Sequence, residues 1–241
     1  MIIYLLILII LFYLLNNKKI ENMNDDINTD KMTQKELTAC YKIQNDTRKF
    51  KKNMTKQFIY HKILKKTKKV LDDLDIPFFL SSGTLLGFVR ENQFLDHDYD
   101  IDVGIFKEDY NPEIINKMAE KGLKLYRILG DLENGMELSF RLPDTPIGKH
   151  AKIDLFLHYK DNDKIYWVTY SPPKYEKQIK YQVSNFILKP IKFMDIIVNI
   201  PYPTIKYLRE HYGTEWFIPI KSKGFGGTYD FRTTPKSIVE D

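Results

Sequence analysis

LSSGTLLGFVRENQFLDHDYDIDVGI, residues 80–105, sets a turn of small residues, Ser81-Ser82-Gly83-Thr84, ahead of a run of alternating aspartates at Asp96, Asp98, Asp100 and Asp102. Side chains of a strand point to opposite faces with period two, so Asp98, Asp100 and Asp102 share one face. Tyr99, Ile101, Val103 and Ile105 share the other and anchor the strand in a core. Carboxylates at that spacing repel one another unless a hard cation with oxygen ligands neutralises them, which points to Mg2+ or Mn2+. The turn opens onto a predicted helix from Thr84 to Arg90, so Ser82, Gly83 and Thr84 direct backbone N–H groups and hydroxyls at a phosphate. Arg90 is expected to offset the charge of that phosphate. Turn and acidic strand together describe metal-dependent phosphoryl or nucleotidyl transfer; a purely structural role for the aspartates is the competing reading.

A second acidic position lies in Lys149–His158. Ile153, Leu155 and Leu157 fall on one face of a predicted strand, and Lys152, Asp154, Phe156 and His158 on the other. An aspartate in so apolar a strand needs a partner. It is either a cap or ion pair, with Lys152 at hand, or a third site carboxylate.

Ser82-Gly83-Thr84-Leu85-Leu86-Gly87, then Val89-Arg90, Phe94 and Asp98-Tyr99-Asp100-Ile101-Asp102, resemble the signature of the LicD family, which includes bacterial phosphocholine transferases and the animal fukutins. The resemblance extends over about residues 75–220, through Asn185–Pro190, Phe193–Pro201 and a closing Tyr212-Gly213 turn that ends at Trp216. It implies an α+β fold of the nucleotidyltransferase type, a mixed sheet flanked by helices. It further implies that Asp100, Asp102 and Asp154 hold Mg2+ or Mn2+, with Asp154 as the third carboxylate of a two-ion site and a proton acceptor. Ser82, Gly83, Thr84 and Arg90 would then grip the donor phosphates. The implied reaction moves a choline-, ribitol- or glycerol-phosphate group from a CDP-alcohol to a sugar hydroxyl of a glycan or glycoprotein. A nucleotidyltransferase that attaches the nucleoside monophosphate itself, and a catalytically silent domain that binds a glycan or partner, are the alternatives. Asp96-His97 and Tyr99 stand where the family commonly has an aromatic-acidic run, and no counterpart of the cysteine zinc insert of some animal relatives is present.

Outside this region the chain divides into an anchor at 1–16, a polar tether at 17–50, the catalytic domain at 51–223 and a flexible tail at 224–241. Met1–Leu15 is uninterrupted apolar sequence followed by Asn16, Asn17, Lys18 and Lys19, which suits an uncleaved membrane anchor better than a removed signal peptide. Lys18 and Lys19 argue for a cytoplasmic domain. The fukutin resemblance and two sequons, Asn45–Thr47 and Asn53–Thr55, argue for the secretory lumen. Cys40, the single cysteine, excludes an intrachain disulfide and a cysteine zinc cluster.

Within the domain, Ile59, Ile63, Val70 and Leu74 recur at helical spacing up to a stop at Pro77, with lysines on the opposite face. Asn111 and Pro112 open a further helix that Gly122 ends, and Met136, Leu138 and Phe140 alternate with polar residues in a hairpin. Trp167 and Tyr170 either stack on a base or sugar or pack into the sheet. Pro203 opens a last helix and Gly213 stops it. A net charge of +5 without a recognised motif gives no case for a nucleic-acid partner.

Overall fold

The computed structural model describes residues 32–44, 54–171 and 177–219, together with short strands at 222–223, 229–230 and 238–239. The expected anchor, Asn45 and Asn53 lie outside these residues. No helix among the described residues is long and apolar enough to cross a membrane.

The first helix, α1 (Gln34–Gln44), lies within the stretch expected as a tether. Thr33 and Glu36 form a reciprocal capping box: the Thr33 N–H donates to Glu36 Oε2 at 2.6 Å and the Glu36 N–H to Thr33 Oγ1 at 3.3 Å. Glu36 then docks the helix on the rest of the chain, accepting from Arg209 (Nη2 to Oε2, 2.9 Å) and from the Trp216 indole N–H at 3.0 Å. Cys40 is buried beside it. Burial alone would raise the Glu36 carboxyl, but the bonds from Arg209, Thr33 and Trp216 outweigh it and hold it below the usual range. A lowered folded value means that its contribution is present above the ordinary carboxylate range and is lost as pH falls through it. Glu36→Ala is expected to cost about 2 kcal/mol in urea denaturation at pH 7, and clearly less at pH 3.5.

Helix α2 (Met54–Asp73) buries Ile59, Tyr60, Ile63, Leu64, Val70 and Leu71, the stripe expected from its periodicity. Two of its outward lysines pair one turn on, Lys68 with Asp72 and Lys69 with Asp73. There follow β1 (Phe78–Leu80), α3 (Ser82–Glu91), β2 (Ile101–Phe106), α4 (Ile114–Glu120), β3 (Lys124–Asp131), β4 (Gly135–Arg141) and β5 (Lys152–Asp161). The chain continues through β6 (Lys164–Ser171), β7 (Lys177–Ser184), β8 (Ile187–Phe193), β9 (Ile196–Tyr202) and α5 (Thr204–Tyr212). Pro203 caps α5 and Gly213, at φ 87°, ends it.

The strands form one mixed ten-stranded sheet in the order β12-β7-β6-β5-β2-β1-β9-β8, where β12 is Ile238–Val239 and β4, carrying β3, pairs with β5. At its centre β2 and β5 run parallel, which explains why every residue of β2 is buried. β12 adds antiparallel to β7, whose backbone would otherwise be an open edge. Ser222–Lys223, β10, likewise pairs with Tyr229–Asp230, β11, so the expected flexible tail contains paired segments.

Candidate metal centre at the N-terminus of a helix

Strand register builds the site. Asp102 on β2 pairs with Asp154 on β5, and Asp154 pairs with Ser139 on β4, which pairs with Arg127 on β3. Paired residues of neighbouring strands point to the same face, so one row runs Arg127, Ser139, Asp154, Asp102. The acidic run meets the end of that row from outside the sheet. β2 begins only at Ile101, so Asp98 and Asp100 lie in the bend before it rather than in a continuous strand. The bend still gathers Asp98, Asp100 and Asp102, each offering an oxygen within 4.8 Å of the other two. Tyr99, expected to anchor in the core, is exposed and stacks on His150 with centroids 4.7 Å apart.

Helix α3 starts against these carboxylates. The Gly83 N–H donates to Asp102 Oδ2 at 3.0 Å. A Cβ on Gly83 would overlap Asp98 Oδ2 and stand 3.1 Å from Asp102 Oδ2, so only glycine leaves the carboxylates room. Ser82 holds a left-handed φ of 42°, an uncommon conformation for a non-glycine residue. Thr84 turns inward: its hydroxyl accepts from the Asp102 N–H at 2.8 Å and pins β2 to the helix. Ser82, Gly83, Asp98 and Asp102 line an open cavity of about 220 Å³ whose far wall includes Trp167 and His211. Trp167 is fully buried and stacked on His158, so of the two readings left open for it the packed one is observed, with its edge at the cavity.

The electrostatics are those of an acidic cluster short of positive charge. Burial, with Asp100, Asp98 and Asp154 nearby, pushes the Asp102 carboxyl well above the usual range. Burial pushes Asp154 up to about 7, against the pull of Lys152 and with the help of Asp100. Lys152 Nζ lies 2.6 Å from Asp154 Oδ2 and 2.9 Å from Asp100 Oδ2; burial disfavours its charge, but the two carboxylates outweigh that and raise it above the usual lysine range. Arg127 donates to Glu137 at 2.6 Å and reaches within 3.8 Å of Asp154 Oδ2. Asp154 Oδ1 remains buried without a hydrogen-bond partner among the described residues. An orphaned carboxylate oxygen beside three converging aspartates fits a hard divalent cation held by oxygen ligands.

Arg90 does not belong to this site. It is fully buried, bonds Glu91 Oε1 at 3.0 Å, and sits in the last turn of α3, about 12 Å of helix rise from Ser82. Residues not foreseen from the sequence do bear on the site. The Lys56 ammonium donates to the carbonyls of Leu95 (2.9 Å), Asp96 (2.9 Å) and Asp98, while Gln57 bonds both the N–H and the carbonyl of Phe94. The start of α2 thus clamps the bend that carries Asp98. Lys56→Met is expected to weaken Mn2+ binding about tenfold, read by electron paramagnetic resonance, and Lys56→Arg to recover part of it.

The profile described as LicD/FKTN/FKRP, nucleotidyltransferase domain, matches residues 75–203. The chain belongs to this family. The mouse protein named "Ribitol-5-phosphate transferase FKTN" is 37% identical over 177 residues, which cover 73% of this chain and 36% of that protein. The human protein of the same name is 34% identical over 176 residues, covering 73% and 36%. The uncharacterized protein T07A5.1 of Caenorhabditis elegans is 34% identical over 202 residues, covering 78% and 50%. The chain therefore spans between about a third and a half of these relatives. The LicD/FKTN/FKRP match includes α3, β2 and β5, hence every aspartate of the cluster and Asp154. It stops short of α5, whose Tyr207 hydroxyl lies 3.4 Å from Ser81 Oγ, and of α1 and Lys56.

Proposed function

We propose that this chain is a metal-dependent transferase that moves a phospho-alcohol group, of the ribitol-phosphate kind, from a CDP-activated donor to a sugar hydroxyl of a glycan or glycoprotein. The observation that carries the reading is the convergence of Asp98, Asp100 and Asp102 on the start of α3, with Asp154 Oδ1 orphaned beside them. Family membership and the names of the mouse and human relatives supply the class of group transferred.

Asp98, Asp100 and Asp102 would hold Mg2+ or Mn2+, which when bound neutralises charge on the transferring phosphoryl oxygens. The Ser82 hydroxyl and the positive end of the α3 dipole would face the donor diphosphate, the Gly83 N–H being taken by Asp102. The sequence-based expectation of a second ion shared by Asp154 meets Lys152 at that place. Its ammonium bridges Asp100 and Asp154 and supplies fixed positive charge there. Asp154 Oδ1 accepts the proton of the attacking hydroxyl. Trp167 and Phe156 give the cavity an apolar part of its lining.

The test is product analysis with CDP-ribitol, CDP-glycerol, CDP-choline and CTP, with Mn2+ and with EDTA. Metal-dependent release of CMP from a CDP-alcohol supports the reading. Release of pyrophosphate from CTP would make the protein a nucleotidyltransferase, and absence of any metal-dependent donor binding would leave a glycan- or partner-binding domain. Met1–Leu15 is assigned as the membrane anchor. The full chain is expected to stay in the membrane pellet after alkaline carbonate extraction.

A further inference from the structure

A second cavity, of about 490 Å³, opens at the end of β3 and β4 and shares no lining residue with the first. Its volume is that of a small-molecule site. Register fixes its position. Lys124 pairs with Arg141, and Arg141 with Lys152, so these side chains project from the same sheet face as Ser139 and Asp154. They lie one pair step, about 7 Å, along the strands. The cavity thus adjoins the carboxylate row at its β3–β4 end.

Its chemistry is the reverse of the acidic cluster. Lys124, Arg141 and Lys149 line it against one carboxylate, Asp144. Neither Lys124 nor Lys149 has an ion-pair partner among the described residues. The register shift between Leu125 and Arg127 takes Tyr126 out of the ladder, and the Arg141 guanidinium lies 3.2 Å from its ring centroid, which holds the arginine in place. Two polar atoms in the wall, Arg141 Nε and Thr145 Oγ1, are buried with no hydrogen-bond partner among the described residues. An arginine nitrogen can only donate, so what completes it is an acceptor oxygen. Buried groups of this kind are costly while unpaired, which favours a ligand that supplies the acceptor.

We propose that this cavity seats an anionic saccharide, a sugar ring carrying phosphate or carboxylate, with the anion on Arg141, Lys124 and Lys149 and the ring against Tyr126 and Thr145. That it serves the acceptor rests on the transferase reading above; that it binds such a sugar does not. The test is calorimetric titration of the full-length protein in EDTA, without donor, using a hexose 6-phosphate, glucuronate and the neutral hexose. Saturable binding of one or both anionic sugars is expected, with whichever binds tighter naming the anion. Binding should weaken at least tenfold in Arg141→Gln and several-fold in Lys149→Gln, an exposed position in a single 3-10 turn where folding is not at stake. It should persist in Asp102→Asn and in excess CMP. Equal binding of the neutral hexose, wild-type affinity in both Arg141→Gln and Lys149→Gln, or displacement by CMP would overturn the proposal. If the sugars bind as expected but no CDP-alcohol is turned over, the transferase reading fails and this site stands.

Discussion

Asp102→Asn is expected to lower turnover at least ~10³-fold, equivalent to about 4 kcal/mol of barrier, while raising the melting temperature of the metal-free protein. The two effects come from one side chain. Asp102 is buried between Asp100, Asp98 and Asp154, and burial and repulsion raise its pKa, which disfavours an ionised carboxylate in the metal-free fold. Asparagine keeps the shape and still accepts from the Gly83 N–H that now bonds Asp102 Oδ2. A carboxyl that the fold disfavours goes, which stabilises the metal-free protein by roughly 1–2 kcal/mol, or several degrees for a domain of this size. Mn2+ reverses the order: it binds the folded wild type through the aspartates and raises its melting temperature, but has little hold on the variant. Thermal scans in EDTA and in Mn2+ separate these outcomes. A variant that is less stable than wild type in EDTA, or that gains as much from Mn2+, would mean that Asp102 is a structural carboxylate.

Much of the framework was readable because local patterns and tertiary burial agree along it. The stripe of α2 buries what its periodicity selects, and the alternation of β5 sets its register although both of its faces are buried. Few large apolar residues mark α1, so composition alone reads it as tether. Its stability comes from Glu36 reaching Arg209 and Trp216, far along the chain. A local signal was nevertheless present in Thr33-Gln34-Lys35-Glu36, the pattern of a capping box. In β7 Ile179, Tyr181 and Val183 alternate, but the lysines and glutamines around them mask the strand pattern.

The site shows the same division. Ser82, Gly83, Asp100, Asp102 and Asp154 assemble because a strand–turn–helix unit and a parallel neighbour bring them together, and their spacing carries that information. Thr84 is present but serves the scaffold, and Arg90 lies at the wrong end of its helix. The strand period puts Asp98 on the face of Asp100 and Asp102, while the ligand set that the resemblance implies, Asp100, Asp102 and Asp154, leaves it out; the bend before Ile101 brings its carboxylate in. Lys56 was beyond reach altogether: it recognises main-chain carbonyls, which leave no trace in side-chain pattern.

Gly83→Ala provides the sharpest separation of site from scaffold. Gly83 lies in the first turn of α3 without a left-handed φ, so alanine suits its backbone and would ordinarily stabilise a helix by about 0.5–1 kcal/mol. What forbids it is space, since the added methyl enters the position of the Asp98 carboxylate and crowds Asp102. Asp98 sits on a bend outside the sheet and can swing away, so the fold survives while the aspartate cluster opens. Mn2+ affinity and turnover are expected to fall about 100-fold or more with the melting temperature in EDTA within a few degrees of wild type. Gly87→Ala, one turn on, is the contrasting case: its methyl would come within 2.6 Å of the Gln93 carbonyl oxygen and 3.1 Å of the Leu95 backbone nitrogen. Backbone does not swing aside as a carboxylate does, so Gly87→Ala is expected to cost about 1–3 kcal/mol of stability. The coupling is testable in a double-mutant cycle. With Asp98 already replaced by alanine, Gly83→Ala should cost far less of the remaining Mn2+ affinity than it does in the wild type, because the atom it displaces is gone. Equal costs in the two backgrounds would show that the Gly83 methyl acts through the helix and that Asp98 is no part of the ion site.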